Sequence, residues 1–150
     1  MKAWGGRFAA EPDANAADFG RSIEVDVELA AEDITGSLAH VEGLQQAGLL
    51  TLGEATAIAD GLRSIAADVH GGTIEWDPAN EDIHMNVEME LTRRIGPVAG
   101  KLHPGRSRND HVATALRLYQ RRRIGDADRA ILGVERALVS LADDHRDAVM

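Results

Sequence analysis

The chain has 150 residues, the size of one ordinary domain, is 44% hydrophobic but only 3% aromatic, and carries a formal net charge of −9. Its core must therefore be built from Ala, Leu, Ile and Val, a composition typical of helical assemblies and too apolar for a disordered chain. The absence of cysteine excludes disulfides, cysteine nucleophiles and thiolate metal sites. No run approaches the roughly 20 apolar residues needed to span a bilayer, and the start MKAWGGRFAAEP lacks a signal-peptide core. The expectation is a soluble, cytoplasmic protein without a membrane partner.

Residues 1 to about 20 read as an extended arm, with Gly5-Gly6 and Pro12. The first helical pattern runs from about Val25 to Leu50, with Leu29, Ile34, Leu38, Val41 and Leu44 near helical spacing. Thr51 and Glu54 have the spacing of a capping box. The helix they open carries Ala55, Ile58, Ala59, Leu62, Ile65 and Ala66 and stops at Gly71-Gly72. TIEWDPANED is a loop. Asn80 is the expected N-cap of a third helix whose Ile83, Val87 and Leu91 share a face, and Gly96-Pro97 ends it. A fourth helix starts near Ser107 and is expected to run to the last residue. From Ile124 its apolar series Ala127, Ile131, Val134, Leu138, Leu141 steps by threes and fours, a seam for a bundle or a coiled-coil-like contact. No β pattern is present. The expected class is all-α: an N-terminal arm and small helical domain over 1–106, followed over 107–150 by the first long helix of an incomplete central bundle.

Charge is unevenly placed. Residues 93–123 hold nine of the 16 Lys and Arg but one acid, Asp110, whereas residues 1–92 hold four basic side chains against 18 acids. A basic segment in an acidic chain points to an anion. Within it, Ser107 to Asp110 has N-cap and N3 spacing, which puts Arg108 and Asn109 in a helix's first turn. There free backbone N–H groups and the helix dipole favour an anion, and Arg108 adds a two-pronged donor suited to a carboxylate. Gly105 lets the backbone come close to a ligand. Two other readings stay open: a solvated basic loop with an ordinary cap, and a contact with nucleic acid. Arg121, Arg122 and Arg123 point in different directions around a helix, with no aromatic stacking platform beside them.

A second constellation is NEDIHMNVEMEL. Asp82 and His84, two residues apart, fall on different flanks of a helix. His84 is either a structural core residue or a neutral hydrogen-bond partner able to carry a proton. His84 and Glu88 have the i, i+4 spacing of metal ligands, but nothing suggests a third, so no metal is expected. Ser22, by itself, reads as a cap or loop residue. No Gly-rich phosphate loop or dinucleotide fingerprint occurs, so no cofactor is expected.

The segments WGGRF (4–8), RSIEVDVELAAEDITGSLAH (21–40), QQAGLLT (45–51), EDIHMNVEMEL (81–91) and AGKLHPGRSRND (99–110) together resemble the argininosuccinate lyase family, a branch of the fumarase/aspartase superfamily that includes the delta-crystallins. The resemblance implies reversible cleavage of argininosuccinate to arginine and fumarate by β-elimination, in arginine biosynthesis. It implies no cofactor, and a homotetramer assembled through long helices. A base removes a proton beside a carboxylate, and donors around that carboxylate must bind the doubly charged intermediate better than the ground state. By position, Ser107, Arg108 and Asn109 match the family's carboxylate-binding loop, Ser22 matches a substrate-contacting serine, and Asp82 and His84 match supporting positions.

Two residues depart from the family pattern: Pro104 replaces a small hydroxyl residue, and His111 replaces Gln. The family's acid/base candidates, a His in a Thr-His motif and a Ser on a Gly-Ser-Ser loop, lie beyond the last residue. No catalytic acid or base is therefore expected within 1–150, and the chain alone is expected to be an inactive N-terminal part. The alternatives are a non-catalytic, crystallin-like assembly protein of the same fold and a helical module that binds anionic polymers.

Overall fold

The computed structural model describes residues 13–149. The WGGRF segment and Met150 lie outside them. All regular secondary structure among the described residues is helical, with no strand among them. Part of what the sequence suggested as an extended arm is a short helix, α1 (Ala14–Phe19), capped by the Asp13 side chain, which accepts from the Asn15 and Ala16 amides.

The expected helix from Val25 to Leu50 starts earlier and is broken. It consists of α2 (Ile23–Asp26), a 3-10 turn (Val27–Leu29) and α3 (Ala30–Gln46). α4 (Leu52–Gly71) opens on the capping box read from the sequence. The Glu54 amide donates to Thr51 Oγ1, and the Thr51 amide donates to Glu54 Oε2 at 3.0 Å. Gly72 closes it at φ 64°, the left-handed conformation that satisfies the last carbonyls.

α5 (Ile83–Ile95) is capped by Asp82, not by the expected Asn80. Asp82 Oδ1 accepts from the Met85 amide at 2.6 Å, whereas Asn80 donates through its side chain to Asn86 Oδ1. Two polar residues precede the helix start, and the cap went to the one whose carboxylate reaches the third helical amide. After Gly96 a 3-10 segment (Gly96–Leu102) leads into α6 (Arg108–Asp144), which ends short of the last residue.

The core lies between α3, α4 and α5. Ile34, Val41 and Leu44 of α3 meet Ile58, Leu62 and Ile65 of α4 and Ile83, Val87 and Leu91 of α5, with Ala99 and Leu102 closing the end. Each fully buried Leu or Ile contributes roughly 2 kcal/mol of hydrophobic stabilisation. The start of α6 packs on α3, which buries His111 and Ala115. Beyond it Ile124, Ile131, Val134, Leu138 and Leu141 are each more than half exposed.

Candidate functional site

The turn into α6 forms where Gly105, at φ 81°, reverses the chain in a conformation that disfavours any side chain. Ser107 then caps α6 in a reciprocal capping box. Its amide and hydroxyl both donate to Asp110 Oδ2 at 2.9 Å, and the Asp110 amide donates back to Ser107 Oγ. These donors hold the Asp110 carboxyl below its ordinary pKa, the amide contributing most. Asp110 thus occupies part of the anion-attracting helix end, and the amides of Arg108 and Asn109 remain as the donors of the first turn. The Asn109 side chain is exposed.

Arg108 folds inward rather than into solvent. Its Nε lies 3.7 Å from Asp82 Oδ2, and its buried Nη1 lies 3.4 Å from Glu88 Oε1 without completing a hydrogen bond. Ser22 belongs to a neighbouring knot. Its hydroxyl donates to Asp26 Oδ2 at 2.6 Å and its amide to the Glu81 carbonyl at 2.8 Å, while Asp26 Oδ1 accepts from the Ile83 amide. The start of α5 therefore joins Ser22 on one side to Arg108 on the other, through Glu81, Asp82 and Ile83.

His84 faces the opposite way, into the protein. Its Nδ1 lies 2.7 Å from Asp33 Oδ1, and His111 Nε2 contacts the same oxygen. The relative exposures of His84, Asp33 and His111 are 1%, 0% and 3%, so His84 belongs to a buried hydrogen-bonded network. Burial pushes the Asp33 carboxyl up, but the hydrogen bonds from His111 and His84 more than reverse this and hold it at about 2. An ionised carboxylate only accepts, so each imidazole donates an N–H to Oδ1. Asp33 Oδ2 and His111 Nδ1 are buried without partners. These three residues are also close enough together to hold a metal ion. As they stand, however, N–H groups face the carboxylate, whereas a metal would require the nitrogen lone pairs. His84 and Glu88, paired on spacing alone, do not converge: Glu88 faces His103 and Arg108 instead.

Part of the basic segment is paired with acids, Glu90 from the same helix and others from elsewhere in the fold. Arg93 pairs with Glu90, Arg94 with Glu90 and Asp68, Lys101 with Glu54, Arg108 with Asp82 and Glu88, and Arg122 with Glu32. Arg122 also lies over the Tyr119 ring at 5.1 Å. This pairing reduces the cationic character of the surface that a polyanion would use.

Sequence reasoning missed Asp26, Asp33, Ser37 and His40, and weighed Glu88 only as a metal ligand beside His84. A usable signal was present. Asp33, Ser37 and His40 repeat at i, i+4 and i+7 on a helix chosen for its apolar stripe, and so line one face of their own. With Arg106, Asp110, His111 and Thr114, Asp33 and His40 line a cleft of about 220 Å³ between α3 and α6.

A family model described as a lyase matches residues 6–150. The argininosuccinate lyase of Staphylococcus carnosus (strain TM300) is 50% identical over 149 residues, covering 99% of this chain and 33% of the relative. Those of Lactococcus lactis subsp. cremoris (strain MG1363) and Methylococcus capsulatus (strain ATCC 33009 / NCIMB 11132 / Bath) are each 46% identical, over 99% and 100% of this chain and 32% of their own length. The chain thus spans about a third of the length of the curated relatives it matches. The family match covers nearly the whole chain, and the chain belongs to this lyase family.

Proposed function

We propose that the chain forms the N-terminal part of an argininosuccinate lyase, a carbon–nitrogen lyase of arginine biosynthesis that reversibly cleaves argininosuccinate to arginine and fumarate. Residues 1–106 form its small helical domain, and residues 107–150 begin the long-helix bundle of a cytoplasmic homotetramer. Ser107, Arg108 and Asn109 take the substrate carboxylate, with Ser22 at the edge of the site, and Asp82 and His84 hold the frame. The observation that carries this reading is the turn at Gly105–Asp110, where two free amides, an inward guanidinium and an exposed carboxamide meet at one helix start. Such donors gain most when negative charge accumulates on the carboxylate during proton abstraction. Arg108 starts out paired with Asp82 and Glu88, so a carboxylate ligand binds by exchanging for these partners. The binding is correspondingly weak in this chain, about millimolar.

The test is fumarate titration of this chain followed by amide NMR. Shifts are expected at Arg108 and Asn109, and Asn109→Ala should weaken them severalfold. Wild-type amides that stay unmoved while a distant surface responds would overturn the reading.

A further inference from the structure

We propose that one face of α3, made by Asp33, Ser37 and His40, positions the carboxylate-binding turn. The inference rests on the proposed function of that turn and names residues that hold it without touching the ligand. The three side chains are four and three positions apart, so they share a face and span roughly 10 Å at 1.5 Å per residue. Each grips a different point of the turn. His40 Nε2 lies 2.9 Å from the Pro104 carbonyl, to which it donates. Ser37 Oγ accepts from Arg106 Nη2 at 3.1 Å and lies 3.3 Å from His111 Nε2. Asp33 holds His111 itself. The anchors at 104, 106 and 111 bracket Ser107, Arg108 and Asn109. With both sides of the bracket tied to one rigid helix, the direction of the Arg108 and Asn109 amides follows from the pose of α3.

Two further observations support this. A Cβ built on Gly105 would lie 3.9 Å from His40 Cε1 and 3.8 Å from Leu44 Cδ2, so the turn rests directly on α3. Asp33 also receives His84 from α5, the helix whose cap, Asp82, faces Arg108. One buried carboxylate thus sets the relative placement of α3, α5 and α6, the elements that carry the site. Arg106 is partly buried and its burial lowers its pKa, yet it stays close to Asp33 and Glu88, the acids that favour its charged form. Its Nε has no partner, so Ser37 is the acceptor that orients it.

The experiment compares His40→Ala, His40→Gln and Ser37→Ala with the wild-type chain by amide exchange and fumarate titration. Loss of one anchoring hydrogen bond should speed exchange at the bonded amides of Ser107, Asp110 and His111 by about five- to tenfold and weaken fumarate by a similar factor. Exchange at Ile58 and Ile65 in α4 should stay unchanged. A glutamine side chain still offers an N–H to the Pro104 carbonyl, so His40→Gln should return both readouts to within about twofold of wild type. Wild-type exchange and affinity in both His40→Ala and Ser37→Ala would overturn the proposal. So would a uniform rise that includes α4, which would mark a general loss of packing. Should His40→Ala fail to fold, Ser37→Ala still decides the matter, because it removes a single hydroxyl. If wild-type chain shows no fumarate response, the carboxylate reading fails on its own, and the exchange comparison still reports whether α3 sets the turn.

Discussion

Asp33 shows how much can depend on one buried charge. It lies under the surface with two imidazoles on a single oxygen, and the rings stand 4.7 Å apart. An isolated carboxylate there would be strongly unfavourable, and the two N–H donors offset its desolvation. Asp33→Asn replaces the anion with an amide that can accept from one imidazole while its NH₂ opposes the other. We expect a stability loss of about 3 kcal/mol in urea denaturation. The same residue sets the acid limit. Its folded pKa, about 2, lies below the ordinary 3.8, so its contribution is fully present above about pH 4 and is lost as pH falls through the folded value. The gap in unfolding free energy between wild type and Asp33→Asn should therefore shrink, by on the order of 2 kcal/mol, between pH 4 and pH 2. A gap that stays constant over that range would show that the charge plays no part.

At the scale of elements, the helix starts are local devices and the helix contacts are not. The capping boxes at Thr51 and Ser107 use side chains three residues apart, and each should account for about 1 kcal/mol. Close approach of α4 to α5 depends instead on Gly61, where an added Cβ would stand 2.6 Å from Leu91 Cδ1 and 3.0 Å from Ile95 Cγ2. Gly43 in α3 has nothing within 4 Å of the same built atom. The two alanine substitutions should thus move thermal stability in opposite directions. Gly43→Ala gains about 0.5–1 kcal/mol from helix propensity, and Gly61→Ala loses roughly 1–3 kcal/mol to overpacking despite the same propensity gain. Equal and positive effects would mean that α5 gives way freely.

At the scale of the whole molecule, α6 is out of proportion to the body it packs on. Its 37 residues extend about 55 Å, yet only the first turns are buried. The seam beyond Ile124 presents apolar side chains to solvent at helical spacing, the arrangement of an interface between helices. Self-association through this seam follows from the proposed bundle. Sedimentation equilibrium should show concentration-dependent oligomers, and Ile131→Glu with Leu138→Glu should shift them to monomer. Unfolding of the α3–α4–α5 core should be unaffected by the pair. An unchanged distribution of species in that double variant would count against the seam.

The helix periods, both capping boxes and the glycine stops were legible in the residues, because each depends on backbone groups within one turn of its own side chain. The helix start at Ser107, with Arg108 and Asn109 in its first turn, was legible for the same reason. The choice of Asp82 over Asn80 as cap required the structure, because adjacent polar residues compete and the winner is set by how α5 docks. Much of the pairing of the basic segment could not be read from charge counts, because several of its partners, Glu32, Glu54, Asp68 and Asp82, come from other helices or loops. The sequence by itself determined which long segments become helices and, at Thr51 and Ser107, the residue on which each begins. Only the tertiary structure decided that Asp33, His84 and His111 share one buried proton network and that α3 carries the turn. Those pairings join residues more than fifty positions apart, and they exist only once helix packing has removed water from between them.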